Sequence, residues 1–270
     1  MARKWTELEE KTKRRELQRL YVKENKTISE IARVLKLGES SVYDRLVRLS
    51  IPTLRSEKHG FNNRRADVVI PQRYSEELAE FIGIMLGDGH LAPTQVTVAL
   101  GKKERSYIEY ISRLIQHLFN VRPRIFTSKK NNYIVYFGST DVVRWLQKMG
   151  LVSNKVKSQV DAPGWIFDKK QYLRSFLRGF FDTDGSVYKL RFGVQVSFTN
   201  RSLPILRSLQ KTLKLLGYSP SAISKYCIYL TKRSQVRRFF QEIQPSNQKH
   251  QLRFEKFINQ RAGRPVGSGA

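Results

Sequence analysis

Two aspartates, Asp88 and Asp184, stand 96 residues apart. Each closes a glycine-containing apolar run and is followed by glycine: FIGIMLGDG over Phe81–Gly89 and LRGFFDTDG over Leu177–Gly185. The apolar runs read as helices, which places both acids at helix C-termini. Backbone carbonyls already concentrate negative charge there, and a carboxylate is disfavoured by roughly 0.3–1 kcal/mol. The pattern therefore predicts something cationic at these helix ends. One cysteine, Cys227, and four scattered histidines, His59, His90, His117 and His250, give no Cys/His cluster at zinc spacing, so any catalytic metal is expected to be held by oxygen.

The elements that would position the acids repeat with them. Gly83 aligns with Gly179, Asp88 with Asp184 and Gly89 with Gly185. Gly83 and Gly87 in one run, and Gly179 and Thr183 in the other, are small residues at i and i+4, which let two helix backbones approach closely. Glycine after each acid suits a left-handed helix stop. In the first copy, alternation predicts a strand over 94–100, a helix over 105–119, strands over 124–127 and 133–137, and a helix over 141–149. In the second copy it predicts a strand over 191–199, a helix over 203–216, strands over 222–225 and 227–231, and a helix over 235–243. With a short strand directly after each motif, both copies read αββαββα. Helices in such a unit cover one face of a four-stranded sheet and leave the other open. Phe192, Val194, Val196 and Phe198 are expected under the helices, and Arg191, Gln195, Ser197 and Thr199 on the open face, as are Gln95 and Thr97 in the first copy.

The chain has 50 Lys and Arg against 23 Asp and Glu, a formal charge of +27, which points to a polyanionic partner. No acidic residue lies between Asp184 and Glu242. A solvated face normally mixes signs, so the imbalance favours phosphate contact. The apolar stretches fall far short of a membrane span and no signal peptide opens the chain, so no membrane partner is expected. The location is expected to be intracellular: cytoplasmic, associated with the nucleoid, or organellar.

Residues 1–50 read as all-helical. A helix spans 8–22, a Thr27–Glu30 capping box starts one over 28–35, and a second capping box, Ser41–Asp44, starts one to about Leu49. The last two, joined through Gly38, resemble a helix-turn-helix, with Ser40, Ser41, Tyr43, Arg45 and Arg48 facing DNA. Residues 51–72 form a basic linker whose Arg55, Arg64 and Arg65 are expected along the backbone. The repeat units then occupy 73–160 and 161–270.

The paired motifs resemble those of the LAGLIDADG homing endonucleases in the monomeric form, with two copies in one chain. FLRGFFDTDGSV is a close variant of the family pattern, FIGIMLGDGHL a looser one, and the likeness extends over roughly 73–260. The resemblance implies an α+β fold of two pseudo-symmetric αββαββα subdomains with saddle-shaped sheets, preceded here by the small all-α domain. It implies a monomer with internal twofold pseudo-symmetry that hydrolyses both strands of a long duplex site. Two carboxylates held close repel unless a divalent cation lies between them. Mg²⁺ suits the arrangement because it takes few protein carboxylates, and Mn²⁺ could substitute. Asp88 and Asp184, with Gly87 and Thr183 at the same helix ends, would be the metal-binding residues. By position, Lys102 and Asn200 would organise the nucleophilic water, and Lys155 and Lys249, after each final helix, would stabilise phosphate. Further DNA contacts are expected from Lys102, Lys103, Arg124, Lys129 and Lys130 in the first copy. In the second they come from Lys189, Arg191, Gln195, Ser197, Thr199, Arg201, Lys225, Lys232 and Arg233. Asp182, opposite Leu86 in the first copy, is expected to be a helix-end or interface residue. A DNA-binding regulator that lost cleavage, and an RNA maturase using the same basic surface, remain as alternatives.

Overall fold

The computed structural model describes residues 7–24, 26–51, 67–102, 104–128, 132–191 and 193–259. Arg55, Arg64, Arg65, Phe192, Lys103, Lys129 and Lys130 lie outside them. The chain divides into two compact units, Met1–Asn62 and Asn63–Ala270.

In the first unit, α1 (Glu7–Gln18) runs into a π-helical turn, Arg19–Lys23, followed by α2 (Ile28–Leu35) and α3 (Glu39–Arg48). The Thr27–Glu30 capping box forms: Thr27 Oγ1 accepts from the Glu30 amide at 3.2 Å, and the Glu30 carboxylate accepts from the Thr27 amide at 2.7 Å. The second box does not. The N-cap of α3 is Gly38, so Ser41 and Asp44 lie inside the helix. Leu17, Leu20, Ile31, Val42 and Leu46 form a separate core. Arg45, expected to face outward, is only 7% exposed. It lies three residues after Val42 and four before Leu49, on the stripe that a 3.6-residue period turns inward.

The second unit begins with α4 (Glu76–Leu86), β1 (Gly89–Ala92), β2 (Gln95–Leu100), α5 (Arg105–Phe119), β3 (Arg124–Thr127), β4 (Tyr133–Gly138) and α6 (Thr140–Lys148). After a 3-10 turn at Gly164–Phe167 come α7 (Lys170–Asp184), β5 (Gly185–Leu190), β6 (Gly193–Thr199), α8 (Leu203–Leu215), β7 (Cys227–Leu230), α9 (Arg233–Ile243) and α10 (Gln248–Asn259). The first sheet has four antiparallel strands in the order β1-β2-β4-β3; the second has three, β5-β6-β7.

The expected strand over 222–225 is thus absent, and its segment makes only an isolated bridge, Ser224 to Cys227. Lys225 and Tyr226 both take left-handed φ, 47° and 61°, which turns the chain back before a ladder can form. The strand expected from 191 begins at Gly193, and α10 was not anticipated.

α4 and α7 pack against each other at their glycines. A Cβ on Gly83 would strike the Phe176 carbonyl, with the Phe180 nitrogen at 2.7 Å; one on Gly179 would strike the Glu80 carbonyl oxygen, with its carbon at 2.9 Å. Only glycine permits this approach. The helix pair lies in a continuous core that includes Phe81, Ile84, Phe180, Phe181 and the helix-facing strand residues Val96, Val98, Val135, Val196 and Phe198.

Candidate active site and nucleic-acid interface

The close packing brings the C-termini of α4 and α7 together. A Cβ on Gly87 would collide with Thr183 and lie 3.6 Å from the carboxyl carbon of Asp184. Asp184 is the last residue of α7, and Asp88 follows the Gly87 cap of α4. Both acids are half-buried. Burial first, and the charge of Asp184 second, push the Asp88 carboxyl up to about 6, against opposing pulls from Lys249 and Lys155. Burial also raises Asp184, opposed first by a hydrogen bond from Asn200 and then by Lys155 and Lys249. The Asn200 amide donates to Asp184 Oδ2 at 2.9 Å.

The cation expected at the helix ends is Lys155. Its ammonium donates to the carbonyls of Met85 at 3.1 Å, Leu86 at 3.2 Å and Gly87, the last turn of α4. It thereby satisfies acceptors that a helix C-terminus leaves open. Burial pulls its pKa down, and Asp184 and Asp88 oppose that. Lys249 is held differently. It pairs with Glu104 at 2.5 Å, and Glu104 also accepts from the Asn247 side chain at 2.6 Å and the Gly101 amide at 2.5 Å. Burial favours protonation of Glu104, but the bonds from Lys249 and Asn247 outweigh it and leave its pKa lowered.

Asp182 is fully buried and accepts from the amides of Ser246 and Asn247 at 2.8 and 3.1 Å, tying the entry of α10 to α7 as an interface residue. Glu80 of α4 gathers Tyr110 at 2.7 Å, Ser246 at 3.1 Å and Arg178 at 3.3 Å.

Asp88 and Asp184 converge, and a half-buried pair of carboxylates that repel each other fits a divalent cation completed by water and phosphate. Among the described residues there is no cluster of three or more His, Cys, Asp or Glu able to cage a metal. The Gly87 carbonyl accepts from Lys155, and the Thr183 hydroxyl donates to the carbonyls of Gly179 and Phe180. Lys102 is exposed in the turn after β2.

Register fixes which residues share the uncovered sheet faces. In the first sheet His90, Thr97, Tyr136 and Arg124 form one cross-strand row, with Gln95 and Ala99 beside it on β2. In the second, Ser186, Ser197 and Tyr229 form a row, Tyr188 and Gln195 another, and Thr199 stands opposite Cys227. Gln95, Thr97, Arg124, Gln195 and Thr199 therefore lie where expected. Ser197 shares the face but is 2% exposed, because it sits on the central strand between its two partners. Lys189 pairs with Val194, which puts it on the helical side. Arg233 lines a shallow recess with Val194, Val236, Phe257 and Ile258, again on the helical side. Arg191, Arg201, Lys225 and Lys232 are exposed in turns or at an element's end.

Sequence reasoning missed His90, Tyr136, Tyr188 and Tyr229 on these faces, although the two-residue period carried the signal. It also missed Glu104, whose only mark is one acid inside the basic stretch Gly101–Arg105.

Residues 78–159 match the model of the WhiA LAGLIDADG-like domain, and residues 171–244 match that of the LAGLIDADG-like domain. The chain carries LAGLIDADG-like domains. Replication factor C small subunit of Methanocaldococcus jannaschii is 30% identical over 119 residues, 43% of this chain and 6% of that protein. An uncharacterised protein of the same organism is 26% identical over 141 residues, 48% of this chain and 51% of that one. The chain thus spans at most about half the length of these two curated relatives. Full-length DUF199/WhiA from Thermatoga maritima is similar in structure at a TM-score of 0.48 and 17% identity, covering 74% of this chain and 64% of that one. The homing endonuclease I-DmoI, solved in complex with DNA and Mn, is similar at 0.44 and 16%, covering 62% and 96%. Among the described residues no helix is long and apolar enough to cross a membrane.

Proposed function

We propose that this chain is a site-specific, divalent-metal-dependent endonuclease that cuts both strands of duplex DNA. The observation that carries the reading is the pair of half-buried carboxylates, Asp88 and Asp184, delivered by two helix ends that glycines bring into contact. Nothing in packing requires two repelling acids there. Binding a cation explains why they are tolerated. Asp88 and Asp184 would hold Mg²⁺, or Mn²⁺ in its place, and the bound ion would supply an activated water and charge stabilisation at phosphate. Asn200 orients Asp184 through its hydrogen bond, and Lys155 and Lys249 bring positive charge near both acids. Both acids come from one chain, which supports action as a monomer.

On this reading the two uncovered sheet faces contact the duplex. Gln95, Gln195 and Thr97 offer paired donors and acceptors suited to base edges, Arg124 suits guanine or phosphate, and Tyr136 and Tyr188 supply apolar surface. The first unit adds a helix-turn-helix contact in which Ser40, Tyr43 and Arg48 of α3 are exposed and Arg45 serves the core. The basic charge supplies sequence-independent affinity.

A second reading, binding without cleavage, is favoured by one observation: the acid pair already has two lysines and an asparagine around it, so the folded chain partly neutralises the charge by itself. The two are separated by offering wild type, Asp88→Asn and Asp184→Asn a plasmid pool carrying randomised inserts, with and without Mg²⁺. The nuclease reading expects linear product from wild type only, and only with metal. Tight, sequence-selective binding with no strand cut would establish the second reading.

A further inference from the structure

The two lysines beside the acids follow equivalent helices but are anchored by unlike means. Lys155 is held by three backbone carbonyls at the end of α4. At the end of α7 two of the three corresponding acceptors are engaged elsewhere. The Asp182 carbonyl accepts from the Asn247 side chain at 3.1 Å, and the Phe181 carbonyl from the Gly185 amide. Lys249 instead has Glu104, a carboxylate from the other half of the repeat, 145 positions away in sequence.

Glu104 needs explaining, because an additional negative charge whose field reaches Asp88 opposes the approach of a phosphate. Its side chain is only 10% exposed and its bonds are committed. One oxygen takes the Gly101 amide; the other takes both Lys249 and Asn247. Asn247 is itself immobilised. It is buried, its amide donates to Asp182, and its side-chain oxygen accepts from the Lys249 amide at 3.2 Å. Lys249 is therefore gripped at its backbone and at its ammonium, with its charge acting on both acids.

Resting on the nuclease reading above, we propose that Glu104 is a positioning residue that, with Asn247, fixes the ammonium of Lys249 beside the Asp88–Asp184 pair. Glu104 touches no reacting atom. Its function is to replace, in the second half, the carbonyl cradle that holds Lys155 in the first.

The test has two arms. In the first, limiting reductive methylation with formaldehyde, read lysine by lysine in a mass spectrometer, compares wild type with Glu104→Gln. A lost charge-assisted bond should raise the Lys249 rate about tenfold or more while the Lys155 rate stays unchanged. In the second, single-turnover cleavage with Mg²⁺ uses a duplex selected by wild-type binding from a randomised pool. Glu104→Gln should slow cleavage about tenfold with DNA affinity within about twofold, because the lost element acts in the transition state rather than in binding. Lys249→Ala should slow cleavage at least as far, and the double variant no further.

Unchanged Lys249 labelling in Glu104→Gln, wild-type or faster cleavage, or a double variant slowed multiplicatively would overturn the proposal. A wild type that cuts nothing would overturn the nuclease reading instead, and the labelling arm would still show whether Glu104 holds the lysine. If Glu104→Gln does not fold, Glu104→Asp, which keeps the charge but withdraws it by one methylene, is expected to give the same labelling and cleavage changes.

Discussion

Replacing Asp88 by asparagine should make the metal-free protein more stable at neutral pH. Burial and Asp184 raise the Asp88 carboxyl from 3.8 to about 6 in the folded state. A group whose folded pKa lies above its unfolded value favours the folded state when protonated, so its contribution is fully present at low pH and is lost as pH rises through the folded pKa. A shift of roughly two units corresponds to about 3 kcal/mol, withheld from the wild type once pH exceeds about 6 and absent below about pH 4. Asparagine does not ionise and escapes the penalty. Urea denaturation in a chelator, repeated across this range, should find Asp88→Asn more stable by up to about 3 kcal/mol at neutral pH, with the gap closing toward about pH 4. Adding Mg²⁺ should reverse the order, because ligand binding stabilises the wild type by RT ln(1 + [L]/Kd) and the variant lacks half of the acid pair. A variant no more stable than wild type at neutral pH, or a gap that does not move with pH, would refute the argument that two repelling half-buried carboxylates define this site.

Gly179→Val drives a side chain into the Glu80 carbonyl of the facing helix and should cost about 3 kcal/mol or more, read as a fall in the urea midpoint; a neutral result would mean that α4 and α7 do not meet at their glycines. DNA affinity should fall steeply with salt, about 0.9 log unit per log unit of salt for each phosphate neutralised, and a flat response would remove the basic groove from the account. Tyr188→Ala and Gln195→Ala, on one cross-strand row, should each weaken binding about tenfold and relax preference at a base pair, measured by selection from a randomised pool. Thr27→Ala removes one half of a reciprocal cap and should destabilise the first unit by about 1 kcal/mol without altering the acid pair's response to Mg²⁺.

What could be read in the sequence was what is local and periodic. The bounds of α5 and β3 emerge directly from alternation and helical spacing, and the acid pair from a repeat that a single chain displays twice. Local patterns failed where tertiary geometry overrides them. The segment 222–225 has strand-like composition, but two consecutive left-handed residues, Lys225 and Tyr226, turn it aside. In α10 the apolar residues Phe254, Phe257 and Ile258 sit only toward one end, behind a polar start, so its period was too short to register. The charge of Arg45 points outward by composition, but its position on the Val42–Leu49 stripe of α3 turns it inward. The Glu104–Lys249 pair joins opposite halves of the repeat, and no window of sequence contains both.

The same distinction explains how the repeat is used. Each half ends in a segment that leaves its own helix and serves the other half or the shared interface. After α6, Val160 accepts from the Ser202 hydroxyl of the second half. After α9, Ser246 and Asn247 donate to Glu80 and Glu104 of the first half. Lys249 is therefore placed by a contact, to Glu104, that exists only when the two halves are docked, whereas Lys155 is held by carbonyls of its own half. A helix end carrying a carboxylate is unfavourable alone, and so is a buried lysine. Docking the halves brings Lys249 to Glu104 and the charge of Lys155 to Asp184 in the same step that brings Asp88 to Asp184, so the like charges are assembled by the interface that compensates them.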